Sequence, residues 1–186
     1  NVTVLALFDN EEIGSLTRQG ADSTFLGDVL ERVALSCGKD REGLYRAIAG
    51  GFMLSADNAH AVHPDSPEKS DPTNRCYLNE GVVVKHSPRY ASDALTAGVF
   101  QAICQKAGVP VQVYYNNSRI PGGGTLGNLS GSHVALPTVD IGLPQLSMHS
   151  PYETAGAQDL EYMVQAMEAF YKTVLTVTGQ DAYEIS

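Results

Sequence analysis

Two adjacent carboxylates, Glu11 and Glu12, stand in the run Asp9-Asn10-Glu11-Glu12-Ile13-Gly14-Ser15, directly after the apolar stretch Val2 to Phe8. That stretch is rich in β-branched and large apolar residues and too short for a good helix, so it reads as a buried strand. Charge at the end of a buried strand is costly unless it is paired. A metal ion resolves the conflict, with one glutamate binding it and the other acting on its water. Taken alone, the pair reads first as the opening of a helix, where carboxylates favour the dipole.

Further polar groups follow other apolar runs. Ser55-Ala56-Asp57-Asn58-Ala59-His60-Ala61-Val62-His63-Pro64 offers Asp57, His60 and His63, whose i, i+3 spacing lets side chains converge on a helix. The competing reading is a polar turn with a capping aspartate. Lys85 ends a short apolar run and could hold a substrate anion beside a metal, although such a lysine is more often solvated. His149 sits among small hydroxyls in Leu146-Ser147-Met148-His149-Ser150. A neutral imidazole in a rigid turn is a good ligand, and an ordinary loop histidine is the plain alternative. The run Pro121-Gly122-Gly123-Gly124-Thr125 lacks the lysine and spacing of a phosphate-binding loop.

The elements that must position these groups alternate. A helix is expected from Asp22 or Ser23 through Val33, closed by Gly38, and a short one from Leu44 to Ala49. Strands are expected at 50–55, 82–85, 111–115 and 138–141. Residues 63–79, with Pro64, Pro67 and Pro72, read as a long loop. A helix starts at Ser92 and stops before Gly108 and Pro110, and another follows the glycine run. A final helix is expected over 159–177, burying Leu160, Met163, Val164, Met167, Phe170 and Tyr171. This order implies an α/β sheet covered by helices on both faces, with carboxylates and imidazole gathered after three different strands.

Composition sets outer bounds. A chain of 186 residues is one domain with a substantial core, and no run has the length of a membrane span. Cys37, Cys76 and Cys104 are odd in number and widely spaced, which argues against a disulfide framework and for a reducing, cytoplasmic setting. The net charge of −9 disfavours nucleic acid as a partner and means that an acidic substrate needs local positive charge. The chain opens inside an apparent strand with no cap and no initiator methionine, so it is expected to be the C-terminal part of a longer protein.

The sequence resembles the C-terminal portion of the aspartyl aminopeptidases, metallopeptidases with two adjacent metal ions. The resemblance rests on Phe8 to Ser15 with Gln19-Gly20-Ala21, on Ser55 to Pro64, on Gly81 to Lys85 with Arg89-Tyr90-Ala91-Ser92, and on Pro144 to Ser150, in family order across essentially the whole chain. It implies that residues 1–186 are the C-terminal part of a metallopeptidase catalytic domain. The implied fold is an open mixed sheet sandwiched by helices, zinc-peptidase-like and lacking its N-terminal part. Glu11 then corresponds to the general base. Glu12 and His149 correspond to ligands of one metal and Asp57 to a ligand of the other. His60, Lys85 and Tyr90 would line the substrate pocket, and His63 has no metal role. The implied cofactors are two divalent ions, zinc first, with manganese or cobalt as alternatives.

The implied substrate is a peptide with an N-terminal Asp or Glu, its acidic side chain held by Lys85 with a protonated His60 as a second cation. The implied full-length form is a homo-oligomer with no nucleic-acid or membrane partner. Because further ligands lie upstream in the family, this fragment alone is expected to be inactive. A non-catalytic interaction fragment, or a related two-metal aminopeptidase or deacylase of other specificity, are the alternatives.

Overall fold

The computed structural model describes residues 2–186. Its central sheet has four strands in the order β1-β5-β3-β4, where β1 is Met53–Ala56, β3 Val82–His86, β4 Val111–Tyr115 and β5 Thr138–Gly142. β1 runs parallel to β5 and β3 parallel to β4, whereas β3 and β5 are antiparallel, pairing Val83 with Gly142 and Val84 with Ile141. The sheet is therefore mixed. A second, three-stranded sheet joins β2 (Ala59–His60), β6 (Pro144–Leu146) and β7 (Thr154–Ala155). It continues the first, because β2 follows β1 after two residues and pairs with β6 as β1 pairs with β5.

Alternation along β3 divides the two faces. Val82 and Val84 meet Val139, Ile141, Phe100, Cys104, Met163 and Ala166. These last four come from α3 (Ala94–Ala107) and α5 (Ala157–Lys172), so two helices cover that face. On the other face Val83 packs with Ala59, Cys76 and Tyr114, against Tyr90. There α4 (Leu126–His133) lies over β1 and β5, and α1 (Phe25–Ser36) and α2 (Arg41–Ala49) extend the layer. α3 begins with a reciprocal cap: Asp93 accepts from the Thr96 amide, and Asp93 donates its own amide to the Thr96 hydroxyl. No helix among the described residues is long and apolar enough to cross a membrane.

Three expectations are corrected. Val2 to Phe8 forms no strand, and Val2, Leu5 and Leu7 are 83%, 74% and 81% exposed. A strand needs a neighbour's backbone, and no described strand pairs with this stretch; its ties are single contacts, such as the Tyr171 hydroxyl donating to the Val4 carbonyl at 3.4 Å. The last helix stops at Lys172, and β8 (Leu175–Gly179) and β9 (Ala182–Ile185) form an antiparallel hairpin. The β-branched residues of Thr173-Val174-Leu175-Thr176-Val177-Thr178 favour that outcome. Finally, α5 buries Asp159, Met163 and Ala166, while Leu160 and Val164 face solvent. Met163 and Met167 pack on the core as expected, joined by Ala166, while the buried Asp159 accepts from the Asn79 and Gly81 amides.

One glycine is demanded by the join between the sheets. A Cβ on Gly142 would stand 2.1 Å from the Asp57 carbonyl oxygen and 2.9 Å from the Asn58 carbonyl carbon, both backbone atoms with little room to move. Gly142→Ala is therefore expected to destabilise the intact polypeptide by about 1–3 kcal/mol or more, read as a lower urea midpoint. Gly131→Ala, on α4 with open space at its Cβ, is the control and should be neutral or stabilising.

Candidate metal and active site

Glu11 and Glu12 lie in a 3₁₀ turn, Glu11–Ile13. Its entry residue Asn10 is left-handed (φ 61°), a conformation that asparagine tolerates better than most side chains. The Asn10 side-chain oxygen accepts from the Thr17 hydroxyl at 2.9 Å and from the Gln19 amide at 3.1 Å, while Asn10's carbonyl accepts from the Ser15 amide at 2.9 Å. Gly14, at φ 97°, closes the turn. The helix-opening reading of the glutamate pair is thus realised as a single turn, fastened by an asparagine that the sequence alone did not single out.

Asp57 follows β1 directly, His60 ends β2, Lys85 lies on β3, and His149 lies in the turn after β6. The His149 Nε2 is 2.9 Å from Glu12 Oε2, and both side chains are largely exposed. Lys85 is the opposite case. Its side chain is 2% exposed, and its Nζ contacts the Asn58 carbonyl at 3.1 Å, the Asp57 carbonyl at 3.3 Å and Asp57 Oδ2 at 3.4 Å. An ammonium has three N–H donors, and these three acceptors occupy them all. The Lys85 Nζ also lies 5.3 Å from the centroid of the Tyr90 ring, within cation–π range.

Electrostatics tie the two pairs together. Burial pushes the Glu11 pKa up, and the nearby carboxylates of Asp57 and Glu12 push the same way, against Lys85 and His149. His60 is pulled down, first by loss of solvent around its ring, then by His149 and Lys85, with Asp57 opposing. Burial pushes the Tyr90 phenol up to about 12, helped by Tyr114, Asp140 and Asp57. Glu11, Glu12, Asp57, His60, Lys85 and His149 therefore share one neighbourhood. They reach it by a different route from the expected one, in which carboxylates and imidazole each follow a strand of the α/β sheet. The glutamates follow no strand, Asp57 follows a strand of the first sheet, His149 follows one of the second, and Lys85 crosses from an antiparallel strand.

Asp140 on β5 holds the Tyr90 segment in place. It is fully buried, and its carboxylate accepts from the Ala91 amide and from the Thr125 hydroxyl at 2.8 Å, while its own amide donates to the Ser92 hydroxyl at 2.8 Å. An aspartate within an apolar strand carries no mark of this role in sequence. Gly127 makes space for it, since a Cβ there would lie 2.7 Å from Asp140 Oδ1.

Carboxylate oxygen and imidazole nitrogen are suitable zinc donors, and the crowding of Glu11, Glu12 and Asp57 is the setting in which a cation relieves like-charge repulsion. Glu12 and His149 thus fit as part of a ligand set. Among the described residues, no group of three or more His, Cys, Asp or Glu side chains is close enough to hold an ion by itself.

Comparison with known proteins gives the lineage. The model of the aminopeptidase I zinc metalloprotease family, M18, matches residues 1–171. The chain is 51% identical over 170 residues to a probable M18 family aminopeptidase 2 of Clostridium acetobutylicum, covering 90% of this chain and 39% of that protein. The crystal structure of prApe1 matches with a TM-score of 0.85 at 33% identity, covering 89% of this chain and 35% of that one. The S. cerevisiae mApe1 dodecamer structure matches with a TM-score of 0.77 at 32% identity, covering 89% and 37%. The chain spans about two-fifths of the length of the curated relatives it matches. On a family match that runs from residue 1 to residue 171, with the mixed α/β fold to go with it, this chain belongs to the M18 family of zinc aminopeptidases.

Proposed function

We propose that the intact polypeptide carrying this chain is a metal-dependent aminopeptidase that removes N-terminal Asp or Glu from peptides. The observation that carries the reading is the Glu12–His149 contact at 2.9 Å, with Glu11 one residue away in the same turn. Glu12 and His149 would hold one divalent ion and Asp57 a second, with zinc favoured by the family and the remaining donors supplied by other parts of the polypeptide. Bound there, the ions would lower the pKa of water and stabilise negative charge on the attacked carbonyl oxygen.

The chain's own residues do the rest. Glu11 takes the proton from the attacking water and passes it to the leaving amine. Its raised pKa suits a group that must hold a proton between the two transfers. Lys85 neutralises an acidic side chain at the N-terminal residue, and His60 and Tyr90 shape the pocket around it. Were Asp57 to ligate an ion, the longest of the three Lys85 contacts, at 3.4 Å, would be the one freed for substrate. The dodecameric relative supports a homo-oligomer for the intact form, and free thiols at Cys37, Cys76 and Cys104 support a reducing, cytoplasmic setting.

A specific observation favours a second reading, an aminopeptidase without acidic preference: the Lys85 donors are already occupied. One experiment decides. The intact polypeptide is stripped with a chelator, reloaded with Zn, Mn or Co, and assayed on peptides beginning with Asp, Glu, Ala or Leu and on their N-acetylated forms. Metal-dependent release of Asp and Glu from free N-termini only is expected. Equal release of Ala and Leu would establish the second reading, and no hydrolysis in any metal form would overturn both.

A further inference from the structure

We propose that His63, which the family resemblance leaves without a metal role, is the positioning residue that holds the His149 turn in place. The inference rests on reading His149 and Glu12 as metal ligands. Residues 147–149 do not follow an ordinary backbone path. Ser147 has φ 56° and His149 has φ 69°. Two residues with side chains in the left-handed region within one turn carry backbone strain, and such strain persists only where the surroundings enforce it.

The enforcing contacts come from both sides. The His63 Nε2 lies 3.1 Å from the Ser147 hydroxyl oxygen. Its Nδ1 accepts from the Asp65 amide at 3.2 Å. An imidazole that accepts at Nδ1 while neutral carries its proton on Nε2, so His63 donates and Ser147 accepts. Register explains why they meet. β2 pairs His60 with Gln145, and the Ala61 amide continues the ladder to the Gln145 carbonyl at 2.9 Å. The chain leaving β2 therefore runs beside the chain leaving β6. Within the turn, the Ser150 amide bonds the Ser147 carbonyl at 3.0 Å, and the Glu153 carboxylate accepts the His149 amide.

The consequence reaches His149 through the backbone. Ser147 is anchored, Met148 spans the turn, and the His149 imidazole is delivered to Glu12. His63 is half-buried, whereas the His149 side chain is 65% exposed and has little packing of its own. An exposed ligand on a strained turn needs an outer partner to keep its orientation, and loss of such a partner typically lowers metal affinity about 10- to 100-fold.

The test uses the intact polypeptide with zinc as the probe. His63→Ala, His63→Gln, Ser147→Ala and the double variant His63→Ala with Ser147→Ala are compared for zinc affinity by competition with a chromophoric chelator. Metal-free crystal structures of the parent protein and of His63→Ala give a readout that does not depend on zinc. Each alanine variant should bind zinc about 10- to 100-fold more weakly. The double variant should be little worse than either single one, because both remove the same contact. The His63→Gln variant, whose side chain keeps an N–H donor, should recover most of the affinity. In the metal-free His63→Ala structure the Ser147 φ should leave the left-handed region. An unchanged turn in that structure, or single losses that multiply in the double variant, would overturn the inference. If the parent protein binds no zinc at all while the turn still relaxes on losing His63, the metal reading fails and the positioning role stands.

Discussion

Glu11→Gln in the intact polypeptide is expected to lower kcat by about 10²- to 10⁴-fold while leaving bound metal in place. The change is isosteric and removes only the ability to take up and return a proton. It also deletes a negative charge from a position where burial, Asp57 and Glu12 already disfavour one, so the fold should not suffer. Glu12→Gln and His149→Ala should behave differently. Their side chains meet each other at 2.9 Å, and each should reduce metal content at limiting metal and recover part of the activity at excess. Metal analysis beside single-turnover kinetics separates the two classes. A Glu11→Gln protein with near-normal turnover would remove Glu11 from the chemistry.

Lys85→Met should have the second large effect, and it should fall unequally across substrates. Buried charge that loses its partner typically costs about 2–5 kcal/mol. The ratio of kcat/KM for Asp or Glu peptides to that for Ala or Leu peptides should therefore fall roughly 30-fold or more. A smaller loss on every substrate is also expected, because Lys85 fastens the Asp57 and Asn58 carbonyls and its removal leaves them without that donor. The comparison belongs at several salt concentrations, since a side chain only 2% exposed is poorly screened. An equal loss on acidic and neutral substrates would assign Lys85 to holding the Asp57 turn alone and would move acidic preference elsewhere.

The local pattern of residues was enough to find most of the elements. The helix expected from Ser92 is capped one residue later by Asp93 and closed by Gly108, the runs expected as strands at 82–85 and 138–141 each extend one residue further, and the glycine run leads into α4. Capping, periodicity and turn chemistry act over a few residues, so they can be read along the chain. The residue types of the site were legible for a similar reason: carboxylates, imidazoles and an ammonium close to apolar runs are costly to bury without a partner.

What the sequence could not carry was anything decided by distant neighbours. Val2 to Phe8 has the composition of a buried strand, yet no described strand pairs with it, because pairing belongs to two segments and only one is written locally. Residues 173–179 stand at the end of a helical pattern and are taken by β9 instead. The antiparallel pairing of β3 with β5 turns Lys85 into a buried group spent on Asp57 and Asn58, where its position near a strand end suggested a solvated one. Asn10 and Asp140 are undistinguished along the chain, and His63 stands out there only by a spacing suited to a metal; each finds its contact near the site through a partner 7 to 84 residues away. Residue types and short-range signals determined which side chains are candidates for chemistry in this protein. Tertiary pairing decided which groups face one another, because hydrogen bonds and charge contacts depend on distances that only the folded chain sets.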